Sequence, residues 1–248
     1  MTFERDFDQQ TAVVTGGTRG LGAAITSAFL AAGASVHATY AGNEDAARAF
    51  AEKLGPLAER LRLHRFDVAD HAACERFWNE LGDAEPVHVL VNNAGIRRDA
   101  IAGAMKVGDW DAVIATNLSG SFHMSKFAIQ RMSRARYGRI VMVSSPAGLH
   151  GFAGQANYGA SKAGQIGLMR ALAKEVGKRK ITVNCVAPGF VDTELLADLP
   201  KEVRDEHVKT VPAGRFGTPD EIAFAVLSLA HPRASYVHGA VLEVTGGL

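Results

Sequence analysis

The stretch Ala12-Val13-Val14-Thr15-Gly16-Gly17-Thr18-Arg19-Gly20-Leu21-Gly22 decides the fold. Ala12–Gly16 reads as a buried strand, apolar at its first three residues, and the glycines then open a turn. From Leu21 to Ala32 the pattern turns helical, and Gly33 suits a C-terminal cap. A strand, a glycine-rich turn and a helix bring backbone N–H groups and a positive helix end to one point. That point suits the pyrophosphate of a dinucleotide, with Gly16, Thr18, Arg19, Gly20, Leu21 and Gly22 as the contacts. The spacing is G-x-x-x-G-x-G rather than G-x-G-x-x-G, and glycine turns also serve packing.

Outward from this loop, short apolar runs alternate with helical ones. Further strands are expected at Ser35–Tyr40, Leu61–Val68, Val87–Asn93, Arg139–Ser145, Ile181–Gly189 and Ala240–Gly246. Helical patterns fill Glu44–Leu54, Ala72–Leu81, Asp109–Ala135, Tyr158–Gly177 and Pro219–Ala230. The alternation predicts an α/β fold: a Rossmann-type, doubly wound, parallel seven-stranded sheet with helices on both faces. No repeat or linker interrupts it, so one domain over residues 1–248 is expected. Thr218-Pro219-Asp220-Glu221 reads as a capping box with proline at the first helical position. Residues 190–216 carry a charged helical piece beyond a strand's carboxyl end. A substrate lid and a plain surface insertion are both open readings there.

The composition of the 248 residues, 47% hydrophobic and 21% charged, is that of a globular domain. A formal net charge of +1 gives no field for nucleic acid. No apolar run reaches membrane-spanning length, and the charged first residues do not read as a signal peptide. Cys74 and Cys185 stand far apart and read as free thiols, so a cytoplasmic protein is expected. Nine scattered histidines offer no metal-type spacing, and no metal is expected.

The second strand ends in Tyr40-Ala41-Gly42-Asn43, with no carboxylate before Glu44 to take a ribose 2′-hydroxyl. Arg19 stands free to meet a 2′-phosphate, which favours NADPH; a merely solvated Arg19 would leave either cofactor. Asp67 and Val68 are placed to touch the adenine, although Asp67 also suits a helix cap. Asn93, Ala94 and Gly95 suit tight backbone near the cofactor, or a turn. In Asn157-Tyr158-Gly159-Ala160-Ser161-Lys162, the tyrosine and lysine are four apart and share one helix face.

Six motifs now stand in order: TGGTRGLG, NNAG, the Asn of TNLSG, the Ser of VSSPAG, YGASK and VAPG. Together they resemble the short-chain dehydrogenase/reductase family over essentially the whole chain. The resemblance implies hydride transfer to a carbonyl and a catalytic set of Asn117, Ser145, Tyr158 and Lys162. Tyr158 would donate the proton, Lys162 would lower its pKa and hold the nicotinamide ribose, and Ser145 would orient the substrate oxygen. The family's interval of thirteen residues before the tyrosine selects Ser145 over Ser144. Asn117 would hold a relay water through its side chain or backbone, or mark a helix irregularity. Pro188, Gly189, Val191 and Thr193 would lie against the nicotinamide.

Within the family, NNAGIRRDA, GQANYGASKAG, ITVNCVAPGFVDTE and VPAGRFGTPDEIA are similar to runs in 3-oxoacyl-(acyl-carrier-protein) reductases, with acetoacetyl-CoA reductases close by. This implies an acyl thioester substrate, an acyl carrier protein as partner and a homotetramer. Arg136 and Arg179 match docking positions near the site mouth, or else are solvated helix ends. His150 and Phe152 are expected to line the acyl pocket, although SSPAGLHGF departs from the usual form of that loop. A ketoreductase for a polyketide, sugar or steroid and a non-catalytic dinucleotide sensor are the competing classes.

Overall fold

Strand residues alternate between two apolar interiors, and that alternation builds the molecule. The computed structural model describes residues 3–82, 85–193 and 201–248. Seven strands form one sheet in the order β3-β2-β1-β4-β5-β6-β7, and every neighbouring pair is parallel. They are β1 Thr11–Val14, β2 Ser35–Tyr40, β3 Leu61–Arg65, β4 Val89–Asn92, β5 Gly138–Val143, β6 Ile181–Pro188 and β7 Val241–Val244. Helices α1 (Gly20–Ala31), α2 (Glu44–Lys53) and α3 (His71–Glu80) make the first three crossovers. Helices α4 (Val107–Val113) and α5 (Gly120–Ala135) link β4 to β5, and α6 (Ala147–His150) and α7 (Ala156–Val176) link β5 to β6. Helices α8 (Lys201–Thr210) and α9 (Pro219–Ala230) precede β7.

Val89 and Val91 join Ile25, Phe29, Ile222 and Val226 on the α1/α9 side. Leu90 joins Trp78, Met124, Met132 and Met169 on the α3/α5/α7 side. A strand projects successive side chains to opposite faces, so strands covered on both sides are apolar throughout. Thr218 and Glu221 form the expected capping box, with Thr218 N donating to Glu221 Oε2 at 2.8 Å. Gly33 follows α1 at a φ of 98°, as a helix terminator does.

Two expectations are corrected. The helix anticipated over Asp109–Ala135 is broken by a π-helical turn at Ile114–Ser119. Several strands end earlier than their apolar runs, because Thr15, Asp67, Asn93 and Ser145 leave the sheet to form loops at its carboxyl edge. The chain winds one way from β1 to β3 and the other way from β4 to β7, so the loops after β1 and β4 open a crevice between them. Of the lid expected over 190–216, residues 194–200 lie outside the described residues.

Candidate active site

The crevice is stapled by Thr15. Its hydroxyl donates to Val91 O at 3.3 Å and accepts from the N–H groups of Asn93 and Ala94, each at 3.0 Å. Asn93 Nδ2 donates back to Thr15 O at 2.9 Å and Gly16 O at 3.2 Å. The glycine loop is thereby held against the loop of Asn93, Ala94 and Gly95. Gly22 is required by close approach, since a Cβ there would lie 2.0 Å from Gly16 O. Gly20 opens α1 with a φ of 51°, and open space surrounds the position a side chain would take. Arg19, at the N-cap, makes no side-chain cap bond, and the first turn of α1 carries no acid. The N-terminal N–H groups of α1 therefore keep their affinity for an anion. This cradle fits a dinucleotide pyrophosphate.

Around the cradle, Thr18 is buried, Leu21 packs against the core and Arg19 is exposed. Tyr40 is half-buried and Ala41 exposed at the end of β2. Glu44 is engaged by Arg48 at 2.5 Å and Arg65 at 3.1 Å, so the first carboxylate after β2 is not free. Asp67 accepts from Ala69 N at 2.9 Å in the turn before α3, while Asp70 is the residue that caps that helix. Val68 is buried, and its carbonyl takes a 3.0 Å bond from His123 Nδ1.

Helix α7 carries a polar stripe that sequence reasoning did not single out. Asn157, Ser161 and Gln165 recur every four residues, and each is fully buried. Asn157 Oδ1 accepts from Tyr158 N at 2.7 Å, and its Nδ2 donates to Arg98 O at 2.9 Å. Ser161 Oγ donates to Tyr158 O at 2.7 Å and accepts from Asn117 Nδ2 at 3.1 Å. Gln165 Nε2 donates to Asn117 O at 2.9 Å and Ser121 Oγ at 2.7 Å. The four-residue spacing was the available signal, because it aligns side chains on one helix face. The stripe holds α7 against the π-turn.

Asn117 sits inside that turn and is fully buried. Its Oδ1 accepts from Ile96 N at 2.8 Å, and its Nδ2 donates to Ile96 O at 3.0 Å as well as to Ser161. Its main-chain oxygen accepts from Gln165 and Ser121. Both amide hydrogens and the carbonyl are thus committed to protein partners. Asn117 thereby ties the Ile96 loop to the π-turn.

Tyr158 and Lys162 occupy the next stripe of α7. Lys162 is buried, and its Nζ donates to Val143 O at 2.7 Å. Burial pushes its ammonium down to about 8, against a raising influence from Cys185. Ser144 Oγ donates to Lys162 O at 3.0 Å and so belongs to the scaffold. Ser145, half-buried, accepts from Ala147 N at 3.2 Å and stands close enough to the Tyr158 phenol to pull its pKa down. Burial raises the phenol's pKa; Arg97 and Ser145 pull it back, and Asp99 adds a smaller rise. Two cations lie near the ring, Lys162 Nζ at 5.5 Å and the Arg97 guanidinium at 5.8 Å from its centroid. Sequence reasoning passed over Arg97.

The remaining candidates are dispersed. Pro188 ends β6, Gly189 N donates to Val244 O at 3.0 Å, and Val191 bridges to Gly217. Thr193 is half-buried and Phe152 exposed. His150 is exposed and lies 3.5 Å from Glu243 on β7, which turns it toward the sheet's edge strand. Arg136 follows α5 and Arg179 precedes β6, so both stand at the amino-terminal ends of β5 and β6. Ser145 lies beyond the carboxyl end of β5. The two arginines are therefore not at the mouth of this chain's own site, because parallel strands put all their amino ends on one side.

Known proteins resemble this chain in sequence and in architecture. An acetoacetyl-CoA reductase of Shinella zoogloeoides is 43% identical over 240 residues, covering 96% of this chain and 98% of its own. A 3-oxoacyl-(acyl-carrier-protein) reductase of Escherichia coli (strain K12) is 43% identical over 244 residues, covering 98% of each. The crystal structure of a proposed gluconate dehydrogenase from Agrobacterium tumefaciens superposes with a TM-score of 0.94 at 29% identity, covering 100% of this chain and 98% of that one. The family profile of the short chain dehydrogenases matches residues 10–204, and the chain belongs to that family.

Proposed function

We propose that the protein is an NADPH-dependent reductase of 3-oxoacyl thioesters, carried on acyl carrier protein or on CoA. The observation that carries the reading is the Tyr158 ring with the buried Lys162 Nζ 5.5 Å from its centroid and Ser145 nearby, in a chain about two-fifths identical to such reductases. A bound reduced nicotinamide would supply the hydride. Gly16, Thr18, Gly20, Leu21, Gly22 and the loop of Asn93, Ala94 and Gly95 would hold its dinucleotide. Tyr40, Ala41, Asp67 and Val68 would border the adenosine, and Pro188, Gly189, Val191 and Thr193 the nicotinamide.

Ser145 Oγ orients the substrate carbonyl oxygen. Tyr158 Oη gives its proton to that oxygen as negative charge develops there. Lys162 keeps a cation beside the phenol and offers its remaining hydrogens to ribose hydroxyls. Asn117 keeps the backbone at Ile96 in register with this group. His150 and Phe152 would border the acyl chain. Arg19, Arg48 and Arg65 near the end of β2, with Glu44 already engaged, support a 2′-phosphate over a free 2′-hydroxyl.

A homotetramer is supported by exposed apolar residues on opposite faces of the sheet. Phe224 and Leu242 lie on the α9/β7 side, and Trp110 and Phe122 on the α4/α5 side. Carrier docking at Arg136 and Arg179 then requires that a second copy's site opens beside them. Both arginines are exposed. A cytoplasmic protein with no metal completes the proposal.

The test follows NADPH and NADH oxidation with acetoacetyl-CoA, a longer 3-oxoacyl thioester, a carrier-bound 3-oxoacyl chain and simple ketones. Turnover of the thioesters with NADPH is expected. Turnover confined to simple ketones would overturn the substrate assignment, and a preference for NADH would overturn the cofactor assignment.

A further inference from the structure

The loop that follows β4 is fastened to the start of α7 by four contacts. Ala100 N donates to Gly154 O at 2.8 Å, and Ala100 bridges to Gln155. Gln155 Nε2 donates to Asp99 Oδ2 at 3.1 Å, and Asn157 Nδ2 donates to Arg98 O at 2.9 Å. Asp99 in turn forms an ion pair with Arg97. Arg97 is therefore no free surface cation. Its side chain is about two-thirds covered, at 31% exposure, and its guanidinium carbon stands 5.8 Å from the Tyr158 ring centroid.

We propose that Arg97 is a positioning residue for Tyr158: Asp99 and Gln155 hold its guanidinium beside the phenol ring, where its charge favours the phenolate over the phenol. The proposal rests on Tyr158 being the proton donor. The groups acting on that phenol are Arg97 and Asp99 from the β4 loop, Ser145 from the β5 loop and Lys162 from α7, with Cys185 of β6 acting on Lys162 behind them. Lys162 is tied to Val143 O at 2.7 Å and fully enclosed, so Arg97 is the cation that solvent and substitution can reach. Asp99 has two opposed effects. It anchors Arg97, and its own charge disfavours the phenolate.

The experiment compares Arg97→Gln, Arg97→Lys and Arg97→Gln combined with Asp99→Asn against the native protein. It measures pH profiles of kcat/KM for thioester reduction and for the reverse oxidation, and uses Tyr158→Phe as a control. Reduction needs the phenol and oxidation the phenolate, so losing a nearby cation moves both limbs to higher pH. For Arg97→Gln the oxidation rate below its limb should fall about threefold, the size of one partly screened charge at this distance. Arg97→Lys should restore most of it. Asp99→Asn added to Arg97→Gln, where no guanidinium is left to anchor, should move both limbs back to lower pH. The ultraviolet phenolate absorbance of Tyr158, read as the difference from Tyr158→Phe, should shift in the same directions. Limbs that stay in place in Arg97→Gln, or that move to still higher pH when Asp99→Asn is added to it, overturn the proposal. Full turnover in Tyr158→Phe would instead remove the reading of Tyr158 as the proton donor.

Discussion

Gln165 Nε2 lies 2.9 Å from the main-chain oxygen of Asn117 and so bonds a carbonyl of the π-turn. A widened turn leaves carbonyls without their ordinary partners, and such turns gather at functional sites. Here the same amide also reaches Ser121 Oγ at 2.7 Å. One side chain thus secures the turn that carries Asn117 against the helix that carries Tyr158.

Gln165→Leu should therefore destabilise the fold by about 1–3 kcal/mol, because the buried Asn117 O and Ser121 Oγ each lose one donor. Turnover should fall further than stability alone accounts for, since Tyr158 and Ile96 lose their common reference. Urea denaturation and kcat, measured on the same preparation, check both. Native stability in Gln165→Leu would show that the π-turn holds itself.

Gly22→Ala places a methyl group 2.0 Å from Gly16 O and 2.6 Å from Asn93 Nδ2. The backbone oxygen has no side-chain freedom to yield, so the glycine loop must move. A destabilisation of about 1–3 kcal/mol is expected from the overpacking. Cofactor binding, followed by nicotinamide fluorescence, should be lost. Retained binding would mean that the loop relaxes without consequence for the cradle.

Arg19→Ala should raise the KM for NADPH roughly tenfold while leaving that for NADH nearly unchanged, as expected for one charge-assisted bond to a phosphate. Equal effects on both cofactors would place Arg19 at the shared pyrophosphate instead. The steady-state KM ratio separates the two outcomes.

Lys162 gives stability a pH dependence of definite sign. An unfolded lysine keeps its proton to about pH 10.4, whereas burial pushes Lys162 down to about 8. Between those values the unfolded chain binds more protons, so this residue's contribution to stability rises with pH. Below the folded value the buried ammonium costs on the order of 3 kcal/mol. Cys185 works in the opposite direction, because burial pushes its thiol up to about 12 and the unfolded thiol ionises first. A comparison with Lys162→Met isolates the lysine. Native stability should gain on that of the variant between about pH 8 and about pH 10 in urea titrations. A difference that stays flat with pH would show that the ammonium is not desolvated.

The sequence by itself determined the strand and helix alternation, the glycine cradle and the Thr218 capping box. Each rests on local chemistry, an apolar period or turn residues, whereas Tyr158, Ser145 and Lys162 were singled out by the resemblance to the family. Where the expected strands ran too long, the reason is also physical. Thr15, Asn93 and Ser145 continue the strand pattern in sequence, yet their hydrogen bonds go to neighbouring loops at the sheet's carboxyl edge.

Only the tertiary structure decided the rest, because those relationships cross long stretches of chain. Asn117 is legible as a polar residue in a helix, but its clamp on Ile96 exists only once β4 and α5 are packed together. Arg97 looks like one of two surface arginines until Asp99 and Gln155 turn it toward Tyr158. Arg136 and Arg179 are basic in sequence, but parallel strand order sends them to the end of the sheet away from Ser145. Periodicity records which face a residue occupies. It carries no record of which distant segment meets that face.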